Sequence, residues 1–299
     1  MLAFSAVAAL GVFALSGSTN TQPPPPPVPP KPGGTKPATG GGTTVTGDLV
    51  ISVYALRPAA WSQAWEGFSG AQPRLVEWSG ESQSGSGHPT WQFIGDRMRD
   101  SSGRLLPALL RQWNADGAER IAAVGFSAGS NSGLRQLLWH PEDRARLDAV
   151  FAIDGLHPSV NAAGELLDPR QLEGLRAYAT AAAAGGRLAV ATASNVAAPS
   201  ASSGKTAQML RELTAAVATA RGAALPAPPL SWLGTSPPPE SIVTQAQALG
   251  LVDAAQLGGF SAWWFSGADA AAHIRQAQNV LPLLLRSYLA PRWRRGVLV

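Results

Sequence analysis

An α/β fold, built on a doubly wound and mostly parallel sheet, is predicted by three features of the sequence. From Asp48 onward, short apolar runs that suit buried strands alternate with longer helix-like runs. One junction, Gly125-Phe126-Ser127-Ala128-Gly129, reads G-x-S-x-G between a strand-like and a helix-like run. The chain, at 299 residues and 45% hydrophobic, leaves one domain of about 250 residues after a non-globular start. Three segments are expected: residues 1–16 as an apolar signal-like or anchor segment, residues 17–47 as a disordered Pro/Gly-rich tether, and residues 48–299 as the α/β domain.

The elements follow in order. Met1 to Leu15 carries no charge and precedes Ser16-Gly17-Ser18-Thr19, as in a signal-peptide core followed by small residues. Pro23 to Pro27 favours stiff polyproline II, and Gly40-Gly41-Gly42 is flexible. Such a tether holds a domain away from a membrane or envelope surface. Leu49 to Leu56 and Arg74 to Trp78 are strand candidates. Leu105 to Trp113 is helical, with Pro107 near its start, where a missing N–H is tolerated. Arg120 to Val124 is a buried strand, and Ser130 to Trp139 puts Leu134, Leu137 and Leu138 on one helical face. Leu147 to Ile153, Leu188 to Thr192 and Phe260 to Phe265 are further strands. Thr206 to Ala220 and His273 to Leu289 are helices, and Ala223 to Pro239 is a proline-rich insertion.

Composition excludes several chemistries. There are no cysteines, which removes disulfides, thiolate zinc sites and a thiol nucleophile. The four histidines, His88, His140, His157 and His273, lack metal-ligand spacing, so neither a metal nor another cofactor is expected. The net charge of +4 is scattered, leaving no nucleic-acid footprint. The one basic cluster, Arg292-Trp293-Arg294-Arg295, reads as a solvated tail. Oligomeric state is not legible.

A strand, a sharp turn and a helix around Ser127 form the context in which a serine hydroxyl is lifted above a sheet. With this motif, the strand–helix order, and an acid and a histidine downstream, the chain resembles the α/β-hydrolase superfamily over about residues 48 to 293. The resemblance implies the order serine, acid, histidine, with Ser127 as nucleophile, Asp154 as orienting acid and His273 as base. Each follows a predicted strand, so all three can meet at one sheet edge. Asp154 ends an apolar run, where a carboxylate requires a reason, although Asp154-Gly155 also reads as a turn. Asp269 is the second candidate acid, because it precedes His273 closely. The family more often carries its acid after the following strand, which here ends Ala193-Ser194-Asn195 without a carboxylate.

The resemblance also implies an oxyanion hole, with the Ala128 N–H as first donor and Leu56, or its neighbour Arg57, as second. Trp78, His88 and His157 are candidate substrate contacts. Trp61, Trp65 and Trp91 also fall near loops that would border a pocket, and Trp263 and Trp264 fit core packing. His140 reads as a surface residue, and His273 has the alternative of a contact at a helix start. The activity implied is hydrolysis of a carboxylic ester through an acyl-enzyme, on a small or polymeric extracytoplasmic substrate such as a lipid, envelope ester or polyester. An amidase or peptidase of the same fold is one alternative, and a tethered, catalytically silent binding module is another.

Overall fold

A computed structural model describes residues 47–53, 58–65, 73–78, 99–163, 165–167, 170–196, 205–224, 231–233 and 240–293, all within one compact unit, Gly42–Val299. The N-terminal apolar segment, the tether up to residue 46, Leu56, Arg57, His88, Trp91 and, within the proline-rich insertion, residues 225–230 and 234–239 lie outside the described residues.

Among the described residues, eight strands form one sheet. They are β1 (Gly47–Val53), β2 (Arg74–Glu77), β3 (Ala118–Phe126), β4 (Ala149–Ile153), β5 (Leu188–Ala193), β6 (Ser231–Leu233), β7 (Leu251–Leu257) and β8 (Phe260–Phe265), in the order β2-β1-β3-β4-β5-β8-β7-β6. All pairings are parallel except β7 with β8. Parallel strands require covering helices on both faces, and the period-two pattern of burial supplies two apolar faces. Leu49, Ile51, Ile121, Ala123, Val150 and Ala152 face one core, shared with helices Leu106–Gln112, Arg170–Ala183 and Thr206–Ala220. Val50, Ala122, Val124, Ala149, Phe151 and Ile153 face the other, shared with the C-terminal helical segment from Gln276 to Trp293. The chain is therefore an α/β protein with a doubly wound, mostly parallel sheet.

Helix Thr206–Ala220 buries Met209, Leu210, Leu213, Thr214, Val217 and Ala218, a stripe at helical spacing, and its bounds match the sequence expectation. The last helix differs from expectation in regularity. It begins at Ala270, and π-helical turns Gln276–Val280 and Leu285–Leu289 interrupt it. Each turn lies just before a proline, Pro282 or Pro291. A proline inside a helix has no N–H to donate and crowds the carbonyl four residues back, here Gln278 or Ser287. The wider turn contains that carbonyl in both cases.

Strand β7 is an addition to the expected set. It runs antiparallel to β8 through the two-residue turn Gly258-Gly259, with Leu257 paired to Phe260. Gly258 has φ +54, the conformation that a two-residue hairpin turn favours.

The C-terminal basic cluster corrects another expectation. Trp293 is 1% exposed, and its Nε1 donates to Asp148 Oδ2 at 2.5 Å. Arg292 donates to the same carboxylate through Nε at 3.0 Å and Nη2 at 2.7 Å. Arg120, ion-paired to Asp48, donates to the Trp293 carbonyl at 2.9 Å. Arg292 and Trp293 thus latch the last helix to the N-terminal ends of β1, β3 and β4. A solvated tail is not what these two residues form.

The sheet order also reverses direction between β1 and β3. From β1 the chain passes to β2 on one side, and from β3 it passes to β4 on the other. Connections leaving adjacent parallel strands in opposite directions open a gap at the strands' C-terminal ends, where such sheets bind ligands. Ser127 follows the C-terminal residue of β3.

Candidate active site

Register brings the candidate residues to one edge. Phe126 pairs with Ile153, Ile153 with Thr192, and Thr192 with Trp263, so β3, β4, β5 and β8 end nearly level. Ser127, Asp154 and Ser194 each follow shortly after one of these ends, and the loop after β8 leads to His273.

Ser127 has φ +53 and Asp154 has φ +42. Only three non-glycine residues among those described adopt positive φ, and two of them are these. Each such conformation costs on the order of 1 kcal/mol or more and persists only where surrounding contacts impose it. Those contacts are visible. The Ser127 N–H donates to the Ile153 carbonyl at 3.0 Å, and the Ser127 carbonyl accepts from Ser130 N and Asn131 N at 3.0 and 3.1 Å. The Asp154 N–H donates to the Thr192 carbonyl at 3.1 Å and to Thr192 Oγ1 at 3.2 Å. Ser130, buried, joins the two strand ends: its Oγ donates to the Gly125 carbonyl at 2.5 Å and accepts from Ile153 N at 3.0 Å.

Two glycines permit this close approach. A Cβ on Gly125 would meet Leu134 Cγ at 2.7 Å and Ser130 Cα at 2.9 Å, so strand and helix touch there. A Cβ on Gly155 would fall 2.1 Å from the Ser127 carbonyl oxygen and 2.5 Å from Ser130 Cβ.

Asp154 is 1% exposed, and donors surround it. His273 Nδ1 lies 2.8 Å from Oδ2, Ser194 Oγ donates to Oδ2 at 2.6 Å, and Ser194 N donates to Oδ1 at 2.8 Å. A carboxylate only accepts, so Nδ1 carries the proton and Nε2 is the acceptor nitrogen of the neutral ring. Phe126 packs against the ring, with centroids 4.5 Å apart and planes tilted by 32°. Because Phe126 immediately precedes Ser127, this contact sets the imidazole beside the turn that carries the hydroxyl.

Asp269 has another task. It is the N-cap of helix Ala270–Arg275, and its Oδ1 accepts from Ala272 N at 2.7 Å. The carboxylate bonded to His273 is Asp154. His157 bonds to Thr206 Oγ1, 3.0 Å from Nδ1, and so ties the loop after β4 to the start of helix Thr206–Ala220. His140 caps helix Pro141–Arg146, accepting from Glu142 N at 3.4 Å. Trp78, expected to border a pocket, is 4% exposed and belongs to the core cluster of Leu49, Val76 and Leu105. Trp65 is also core and stacks on Trp293 with centroids 6.4 Å apart. Trp263 and Trp264 pack inside, at 0% and 4% exposed.

Ala128 opens the helical segment that continues through Gly129–Leu134, so its N–H belongs to a helix start. Such N–H groups have no intrahelical acceptor and are disposed to bind an anionic oxygen. Leu56 and His88, the other expected site residues, fall outside the described residues.

Sequence reasoning missed Ser194 and Ser130. For Ser194 it registered only that β5 ends without a carboxylate. A small polar residue at the end of an apolar run, level with an aspartate on the neighbouring strand, was the available signal.

No protein-family model matches the chain, and no curated protein does. Among solved structures it is similar to LpqC, a poly(3-hydroxybutyrate) depolymerase from Bordetella parapertussis, at 17% identity and a TM-score of 0.36, over 82% of this chain and 81% of that one.

Proposed function

We propose that the chain is a serine hydrolase of the α/β-hydrolase type that cleaves a carboxylic ester through an acyl-enzyme, with Ser127 as nucleophile, His273 as base and Asp154 as orienting acid. The observation that carries the reading is the 2.8 Å bond between His273 Nδ1 and the buried Asp154, at the sheet edge where Ser127 sits with positive φ. A serine hydroxyl needs a base to become nucleophilic, and a base needs a fixed tautomer.

In the first half-reaction Ser127 Oγ attacks the carbonyl carbon, and its proton passes to His273 Nε2. The tetrahedral oxyanion is met by the Ala128 N–H and a second donor from the loop after β1, for which Leu56 is the candidate. The C–O bond to the alcohol then breaks, His273 returns the proton to the leaving oxygen, and the acyl group stays on Ser127. In the second half His273 removes a proton from water, the hydroxide attacks the acyl carbon, and Ser127 Oγ leaves reprotonated. Asp154 stabilises the imidazolium in both halves. The apolar segment 1–16 and the tether support an extracytoplasmic substrate, a lipid, envelope ester or polyester.

The test is hydrolysis of p-nitrophenyl esters across acyl lengths, with fluorophosphonate labelling, in the parent and in Ser127→Ala. Turnover and labelling lost only in Ser127→Ala support the hydrolase. A parent silent in both assays refutes it and leaves the tethered binding module.

A further inference from the structure

We infer that Ser194 is a positioning residue for the reaction, acting through Asp154 on His273; the inference rests on the hydrolase reading above. Ser194 is 1% exposed and addresses both oxygens of one carboxylate: its N–H donates to Oδ1 at 2.8 Å and its hydroxyl to Oδ2 at 2.6 Å. Oδ2 is also the oxygen facing His273 Nδ1. Two donors from one residue fix the rotation of the carboxylate and leave Oδ2 pointing at the ring.

The direction of the hydroxyl is itself fixed. Asp154 Oδ2 can only accept, so the serine proton points to it, while Val196 N donates to Ser194 Oγ at 3.4 Å. A continuous series of hydrogen bonds results: Val196 N–H to Ser194 Oγ, Ser194 O–H to Asp154 Oδ2, and His273 Nδ1–H to the same Oδ2. The adjoining residue secures the other partner, since Asn195 N donates to the Gly267 carbonyl at 3.0 Å, in the loop that leads to His273. The turn after β5 therefore clamps both the acid and the loop of the base. It does so from the place where a carboxylate is missing at the end of β5.

A group that merely fills space and one that donates a proton are separable by substitution. Ser194→Ala removes the hydroxyl, and Ser194→Cys keeps nearly the same volume while replacing it with a weak donor. The backbone N–H to Oδ1 survives in both. Removing one hydrogen bond to a charged acceptor corresponds to about a tenfold effect. We expect kcat on p-nitrophenyl esters to fall about tenfold in both variants, KM to change less than about twofold, and the low-field NMR signal of the His273 Nδ1 proton to shift in both. Melting temperatures recorded alongside detect a folding defect. The role is overturned if an active parent is matched in kcat and in the Nδ1 signal by both variants. It is equally overturned if Ser194→Cys matches the parent while Ser194→Ala loses activity and stability together, since the side chain is then only a filler. A parent that neither turns over esters nor labels at Ser127 overturns the hydrolase reading and this role with it. That outcome is distinguishable because the parent, not the variant, is silent.

Discussion

Replacing Asp154 with Asn tests the proposed chemistry most directly. Asn has nearly the same shape as Asp and tolerates positive φ, so the backbone at φ +42 can stay as it is. What changes is the pairing with three donors, His273 Nδ1 at 2.8 Å, Ser194 Oγ at 2.6 Å and Ser194 N at 2.8 Å. With the amide oxygen at the Oδ2 position, the NH2 group opposes the Ser194 N–H, donor against donor, and no charge balances an imidazolium. With the amide turned over, NH2 faces His273 Nδ1, which must then accept, and the proton moves to Nε2, where it blocks the base. Either arrangement predicts a kcat loss of roughly 10³ to 10⁴, or about 4 to 5.5 kcal/mol of barrier. The mismatched buried donor costs about 1 to 3 kcal/mol of stability, so the assay belongs well below the measured melting temperature. The measurement is kcat and KM on p-nitrophenyl esters for the parent, Asp154→Asn and Asp269→Asn. Asn caps helices as well as Asp does, so Asp269→Asn should keep both its cap and its activity. Parental kcat in Asp154→Asn, or the large loss appearing in Asp269→Asn instead, would refute the assignment.

Three further outcomes are expected. Gly155→Ala forces a Cβ to within 2.1 Å of the Ser127 carbonyl oxygen; it should destabilise the fold by about 3 kcal/mol and slow fluorophosphonate labelling, and urea melts matching the parent would show that the turn yields more easily than argued. Asp143, fully buried, accepts from Leu105 N, Leu106 N and Arg104 Nε; Asp143→Ala leaves those donors without their acceptor and should cost about 3 kcal/mol, read as a lower urea midpoint with kcat per folded molecule unchanged. Burial pushes the Tyr288 phenol up to about 12, against the opposing bonds from Ser261 and Trp263. A folded-state value above the unfolded one means that its stabilisation is complete below about pH 10 and is lost as pH rises toward 12, at most about 3 kcal/mol. Tyr288→Phe should flatten that part of the stability–pH curve, though not entirely, because burial shifts Tyr178 in the same direction. Identical curves for parent and variant would remove Tyr288 as the cause.

Much of the frame was legible in the residues. Helix Thr206–Ala220 and strand β8 fall where local periodicity puts them, since each carries its own apolar pattern. Strand β7 was missed although Leu257-Gly258-Gly259-Phe260 is a two-residue hairpin signal, because its run includes Asp253 and Gln256 and reads as less apolar than a core strand. The pairing of Arg292 and the burial of Trp293 were not legible either: their partner Asp148 lies 144 and 145 positions away, and a basic run beside a chain end resembles a solvated tail. Pro282 and Pro291 announced irregularity, but only the fold shows π turns absorbing them without ending the helix.

Residue order alone carries the local chemistry. It set the strand, turn and helix around Ser127, an aspartate ending an apolar run at Asp154, a histidine after the last strand, and the alternation that makes an α/β sheet. These rest on hydrophobic periodicity and turn residues, which act over a few positions. Tertiary structure alone decided which carboxylate meets His273. Asp269 lies four positions away and turns its oxygen to its own helix, whereas Asp154 lies 119 positions away and reaches the ring. It decided, too, that Ser194 holds that carboxylate and that Trp78 belongs to the core. Those choices depend on the register of β3, β4, β5 and β8, which is fixed by burying both faces of the sheet at once and so is not contained in any single stretch of the chain.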